Sequence, residues 1–230
     1  MSGRGNSPTY LYRGSVLKFN AKGLLFDNDG VLVDSHQAAL DAWTQWASEY
    51  APGWNWDSPE NAGVRAEDKV RSLVPAEKFI EANDRINQLE QDTAHNTLAL
   101  PGAVELTNSL TPGTWTVVTS ANANLGGARL RAAGIPVPQE LVTGDHVERG
   151  KPFPDPYLLG AKNLGLEPED CVVFEDAAAG VQAAIDAGVG LVVGVSDRAL
   201  ETAADIVVRD LQGITFNGDE LHIPDKNRLR

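Results

Sequence analysis

Leu24-Leu25-Phe26-Asp27-Asn28-Asp29-Gly30 is the stretch from which the rest of the chain can be read. An unbroken apolar run stops at two aspartates, spaced i and i+2, and a glycine. A run that is apolar at every position reads as a strand covered on both faces, as in a parallel sheet. Similar runs recur at Thr116-Val117-Val118-Thr119, Leu141-Val142-Thr143, Cys171-Val172-Val173-Phe174, Leu191-Val192-Val193-Gly194-Val195 and Ile206-Val207-Val208. They are rich in β-branched residues, which fit a pleated surface. Helical patterns separate most of them. Asp155-Pro156 reads as an N-cap followed by a first-turn proline, with Tyr157, Leu158, Ala161 and Leu164 at helical spacing and Gly165 as a stop. Residues 177–187 are alanine-rich, with Val181 and Ile185 on one face. This alternation predicts an α/β fold built on an open parallel sheet.

One region breaks the alternation. No strand pattern is found between residues 35 and 98, whereas helical patterns cover 38–50, 66–73 and 77–93. The breaker run Ala51-Pro52-Gly53-Trp54-Asn55-Trp56-Asp57 divides them, and Pro101-Gly102 marks the return to the sheet. The expected organisation is a flexible tail at 1–15, a core at 16–34 and 99–230, and a helical insert at 35–98.

Composition narrows the function classes. The chain has 230 residues and a net charge of −13. That charge argues against a nucleic-acid partner, which needs a basic footprint. It also repels anionic substrates, so an anion would need a local cation to bind. No apolar run approaches the ~18 residues of a membrane span, and the N-terminus lacks a secretory pattern. The single cysteine, Cys171, cannot form an internal disulfide and is expected to be buried in its strand. A cytoplasmic protein, monomer or weak dimer, is expected.

Open parallel sheets bind ligands at the carboxyl ends of their strands. Asp27 and Asp29 follow the first run, Ser120 the second, and Glu175 and Asp176 the fourth. Four carboxylates gathered on one rim repel one another unless a cation lies between them. Hard oxygen ligands select Mg2+, which also accepts phosphate oxygens. A carboxylate can attack phosphorus, while a second one, re-aimed by a tight turn at Gly30, moves protons. A fixed cation must hold the two anions in line, and Lys151 lies on a proline-flanked loop, Gly150-Lys151-Pro152-Phe153-Pro154.

Four segments taken together resemble the haloacid dehalogenase-like hydrolases. They are Phe26-Asp27-Asn28-Asp29-Gly30-Val31-Leu32-Val33-Asp34-Ser35, Val118-Thr119-Ser120, Gly150-Lys151-Pro152 and Phe174-Glu175-Asp176-Ala177, in the family's order. The resemblance implies a Rossmann-like core with an inserted helical cap. It implies a magnesium-dependent phosphatase that passes through an aspartyl-phosphate. Asp27 would be nucleophile and metal ligand. Asp29 would be acid and base, with its carbonyl on the metal. Ser120 and Lys151 would grip the phosphoryl group, and Asp176, with Glu175, would hold Mg2+. The run from Gly150 to Leu158, and Gly63-Val64-Arg65-Ala66-Glu67-Asp68 in the insert, resemble phosphatases of sugar, sugar-alcohol and glycerol phosphates. A small phosphorylated metabolite is therefore the expected partner.

Other readings of the same residues stand beside these. Arg65 is a candidate substrate contact, and it is equally placed to pair with Asp68 one helical turn on. Asn124 is a candidate substrate contact, while Asn122 is expected to shape its loop. A phosphosugar mutase is an alternative activity; the β-phosphoglucomutase branch carries a cap histidine where this chain has Ala39. A silent binding module on the same scaffold is a further alternative, though no motif residue is missing. Trp43, Trp46, Trp54 and Trp56 are expected to pack the insert.

Overall fold

The alternation of strands and helices is present in the structure, a computed structural model that describes residues 11–13 and 15–230, with backbone alone at Leu11–Arg13 and Pro59. Strands β1 (Leu11–Arg13) and β2 (Val16–Asn20) precede β3 (Gly23–Phe26). The chain then leaves through β4 (Val33–Asp34) into helices α1 (His36–Tyr50), α2 (Ala66–Leu73) and α3 (Phe79–Thr93). It returns through β5 (Leu98–Ala99), which pairs antiparallel with β4 and brings both connections together. Next come α4 (Ala103–Ser109), β6 (Trp115–Val117), α5 (Ala123–Ala132) and α6 (Asp155–Asn163). Then follow β7 (Cys171–Glu175), α7 (Ala178–Ala187), β8 (Leu191–Val195) and β9 (Ile206–Val208). A final hairpin joins β10 (Thr215–Phe216) to β11 (Glu220–Pro224).

The central sheet runs β6-β3-β7-β8-β9, with every neighbouring pair parallel. All of β3, β7 and β8 is buried, as their continuous apolarity requires. Strand alternation sends Leu24, Phe26, Val172 and Phe174 to one apolar cluster and Leu25, Val173 and Val192 to another. Each such side chain contributes about 1.5–3 kcal/mol by leaving water.

The insert has an apolar centre of its own. Trp43, Trp46, Val70 and Ile86 are buried there, with Trp54 and Trp56 packed against them. The Trp46 indole donates to the Ala82 carbonyl at 2.8 Å, so its polar edge is satisfied.

Several expectations need correction. Leu11–Arg13, expected inside a tail, pairs antiparallel with β2, while residues 1–10 and 14 lie outside the described residues. Leu141-Val142-Thr143 is not a strand; Val142 alone bridges Val118. An unforeseen antiparallel sheet, β1-β2-β11-β10, flanks the core. Its β11 alternates between buried and half-buried residues, so its apolar signal is only Leu221 and Ile223. Asp155 is not an N-cap but the first residue of α6, where its carboxylate meets Arg149 at 2.9 Å. No helix among the described residues is long and apolar enough to cross a membrane.

Candidate active site

The parallel sheet carries Asp27, Ser120, Glu175 and Asp176 to one edge, because each follows or ends a strand that runs in the same direction. Lys151 reaches the same edge from the loop before α6. Its ammonium donates to Asp27 Oδ1 at 2.8 Å, to Glu175 Oε1 at 2.6 Å and to the Val118 carbonyl at 3.0 Å. Those three acceptors match its three N–H bonds, so a fully buried ammonium is completely satisfied. Glu175 is equally occupied. Tyr157 donates to Oε1 at 2.8 Å and the Ala177 N–H to Oε2 at 3.1 Å. Glu175, expected at the metal, thus serves first as the seat of Lys151.

The cluster is strongly electronegative. Burial pushes the Asp27 carboxyl well above its ordinary value, and the Glu175 charge adds to this while Lys151 opposes it. Burial and Glu175 likewise push Asp176 up to about 7, with Arg198, 3.6 Å away, acting against them. Burial alone would lower the Lys151 pKa, but Asp27 and Glu175 outweigh it and hold it above its ordinary value. A divalent cation beside buried acids of this kind would favour their ionised form. Ligand oxygens of Asp27, Glu175 and Asp176 lie within 4.8 Å of one another, and this all-carboxylate set fits a hard divalent ion. Gly30 permits the packing. Its φ is +84°, and a Cβ there would collide with the Asp176 carboxylate.

Asp29 points elsewhere. Its Oδ1 accepts from Ser35 Oγ at 2.6 Å and from Arg129 at 3.0 Å. It faces a cavity of about 170 Å³ between the rim and the insert, also lined by Asp27, Ser120, Asn122 and Arg129. The insert contributes Trp43, Trp56, Asn83, Asn87 and Glu90 to the opposite wall. Trp56 also borders a second cavity of about 450 Å³ that reaches Asp176 and Arg198.

The remaining expected site residues are placed differently. Ser120 is at the cavity, but its hydroxyl donates to the Gly63 carbonyl of the insert at 2.7 Å. Asn124 is exposed on α5 and outside the cavity lining. Asn122 takes the cavity position, capping α5 through Leu125 N at 2.9 Å and donating to Asn87 at 3.1 Å. Arg65 lines the cavity, yet its guanidinium is tied to Asp68 by bonds of 2.6 and 2.9 Å. It also donates to the carbonyls of Gly144, Val147 and Glu148 at 3.2, 2.9 and 2.9 Å. It bolts the insert to the core. The bolt passes Gly144 and Gly150, where an added Cβ would lie 3.2 Å and 2.7 Å from Arg65 Cδ.

A family model described as haloacid dehalogenase-like hydrolase matches residues 21–188. The chain belongs to this family. It is 37% identical to hexitol phosphatase A of Escherichia coli (strain K12), over 86% of this chain and 97% of that one. It is 31% identical to glycerol-1-phosphate phosphohydrolase 2 of Saccharomyces cerevisiae, covering 88% and 86%. Among solved structures, a hydrolase from Pseudomonas syringae superposes with a TM-score of 0.69 at 27% identity, over 79% of this chain and 87% of that one. The chain is a phosphoric monoester hydrolase of this family.

Sequence reasoning missed Tyr157, Arg129 and Glu90, whereas Asn122, expected to shape its loop, does so as the cap of α5. Tyr157 reads as one more apolar position of α6. On α3, Asn83, Asn87 and Glu90 sit at i, i+4 and i+7, a polar stripe that could have flagged a cavity-facing side. Nothing in the sequence marks Arg129 as buried.

Proposed function

We propose that the protein is a magnesium-dependent phosphatase that hydrolyses a small sugar or polyol phosphate through an aspartyl-phosphate on Asp27. The observation that carries this reading is Lys151, buried and held 2.8 Å from Asp27, the carboxylate that lines the cavity between rim and insert. A buried ammonium at that point offsets the repulsion between a carboxylate and an incoming phosphate dianion. Asp27 and Asp176 have carboxylate oxygens left to hold Mg2+, with Glu175 behind them. When bound, the ion supplies positive charge to the phosphoryl oxygens and keeps Asp27 ionised.

The protein's own groups account for the proton balance. An oxygen of Asp27 attacks phosphorus as the bond from phosphorus to the ester oxygen breaks, and that oxygen takes a proton from Asp29. Water then attacks phosphorus, returning a proton to Asp29, and the bond to Asp27 breaks to release phosphate. The amides of Asn83, Asn87 and Asn122 line the cavity on the leaving-group side and suit hydroxyl groups, which both donate and accept. Hexitol and glycerol phosphates, the esters named for the relatives above, present such groups.

The test is phosphate release across a panel of phosphorylated sugars and polyols, with magnesium and with chelator. Release from a polyol phosphate, lost on chelation, is expected. No release from any ester would defeat the reading.

A further inference from the structure

Arg129 belongs to none of the four motif segments, yet it is only 4% exposed and lies in the cavity wall. Its guanidinium spans two acids from different parts of the fold. One arm donates to Asp29 Oδ1 at 3.0 Å, and the other meets Glu90 Oε1 at 3.3 Å. Glu90 is buried and comes from α3 in the insert. Burying an arginine between two carboxylates is a poor way to fill space, since apolar residues of similar volume do so as well or better. Arg129 Nε has no hydrogen-bond partner among the described residues. A guanidinium that leaves a buried N–H unmet in order to span two acids calls for an explanation other than packing.

That explanation lies in how Asp29 is held. Its Oδ1 takes both close donors, Ser35 at 2.6 Å and Arg129 at 3.0 Å. Its Oδ2 meets only Asn28 and Thr119, each at the outer limit of 3.5 Å. The carboxyl group is pinned by one oxygen and loosely held by the other. We propose that Arg129, steadied by Glu90, is a positioning residue for Asp29, fixing Oδ1 so that Oδ2 exchanges the proton with the leaving oxygen and then with water. The inference rests on the phosphatase reading and extends it. It links the insert to the chemistry, because Glu90 reaches Arg129 from α3, across the boundary between insert and core. Lysine could replace arginine here only in part, since a single ammonium lacks the fork that reaches both acids.

The test compares two esters in magnesium, a hexitol 6-phosphate and p-nitrophenyl phosphate. The hexitol oxygen needs a proton to depart; p-nitrophenolate does not. The readout is kcat/KM, which counts steps only through departure of the leaving group. Arg129→Met should lower kcat/KM on the hexitol ester ~100-fold and on the aryl ester by less than ~3-fold. Arg129→Lys should recover part of the loss. Arg129→Met leaves Glu90 buried and unpaired, so Arg129→Met/Glu90→Gln is the companion variant; it removes both charges and should keep the same ester selectivity with a normal melting curve. Equal losses on the two esters, or no loss on either, would overturn the inference while leaving the phosphatase reading intact. Where another polyol phosphate of the wider panel is the better substrate it takes the hexitol ester's place; if the unaltered protein hydrolyses no ester of that panel, the phosphatase reading fails and the inference falls with it.

Discussion

The carboxylate rim and the insert-facing wall both bury charge, but by opposite means. At the rim, Lys151 answers to Asp27 and Glu175 within the core, so its geometry follows from strand ends that the sheet already fixes. At the wall, two arginines make contacts across the boundary. Arg65 reaches from the insert to core carbonyls, and Arg129 reaches from the core to Glu90. The difference separates charges held by the sheet from charges held by the contact between insert and core. On the proposed function, the groups that would handle the phosphoryl belong to the first kind and those around the leaving alcohol to the second.

The largest effect that could break this comparison is at the rim. Asp27→Asn should abolish steady phosphate release, by on the order of 10⁴-fold or more, while substrate still binds. Removal of Lys151 comes next. Lys151→Met leaves Asp27 and Glu175 buried without their counter-charge, and should lower stability in urea by about 3–5 kcal/mol. A smaller loss would mean that the rim is as adaptable as the wall.

Protonation gives the third test. Burial and the Glu175 charge push the folded Asp176 carboxyl up to about 7, against 3.8 for the ordinary group. Between those values the folded state holds a proton that the unfolded chain has lost, so stability falls as pH rises through the window. Metal-free protein should therefore show a declining melting temperature across it, and Asp176→Asn should flatten that slope. Magnesium should raise the melting temperature above pH ~7 and do little near pH ~4.

Breaking the wall should have a smaller effect. Arg65→Ala removes about 1.5–3 kcal/mol of charge-assisted bonding between insert and core. Hydrogen exchange at residues 63–68 and 144–148 should quicken while the sheet stays protected. The smallest effect belongs to Cys171, whose thiol is buried and pushed up to about 12 by burial and Asp170. It should resist alkylation near pH ~8 until the protein unfolds.

The same division explains what the sequence could reveal. Asp27, Glu175 and Asp176 were legible because a buried parallel strand writes itself as an apolar run, and the residues just beyond it must lie on the ligand edge. Helices α1 to α3 were legible from their periodicity. Strands β2 and β11 were not, because a sheet covered on one face spreads a few apolar residues among polar ones. Arg65 was weighed as a substrate contact and as a partner of Asp68. The structure shows the ion pair, but the carbonyls of Gly144, Val147 and Glu148 lie about eighty residues away in sequence and no local pattern announces them. Arg129 stayed hidden for the same reason, since its partners Asp29 and Glu90 lie far off in sequence, while Glu90 shows only as one member of the polar stripe on α3.

Gly144 and Gly150 carry a consequence for how the two parts seat. The Arg65 side chain occupies the volume that a side chain at Gly150 would need, and at Gly144 an added Cβ would meet the Ser120 carbonyl at 2.6 Å with Arg65 close behind at 3.2 Å. Its long arm must enter between two bare stretches of backbone, and any sideways error drives methylenes into peptide planes. Two hydrogens thus act as the wards of a lock, admitting a single key in a single orientation. Alanine at Gly150 would press on the Arg65 methylenes, so a change of one methyl group in the core is felt by the arm that fastens the insert.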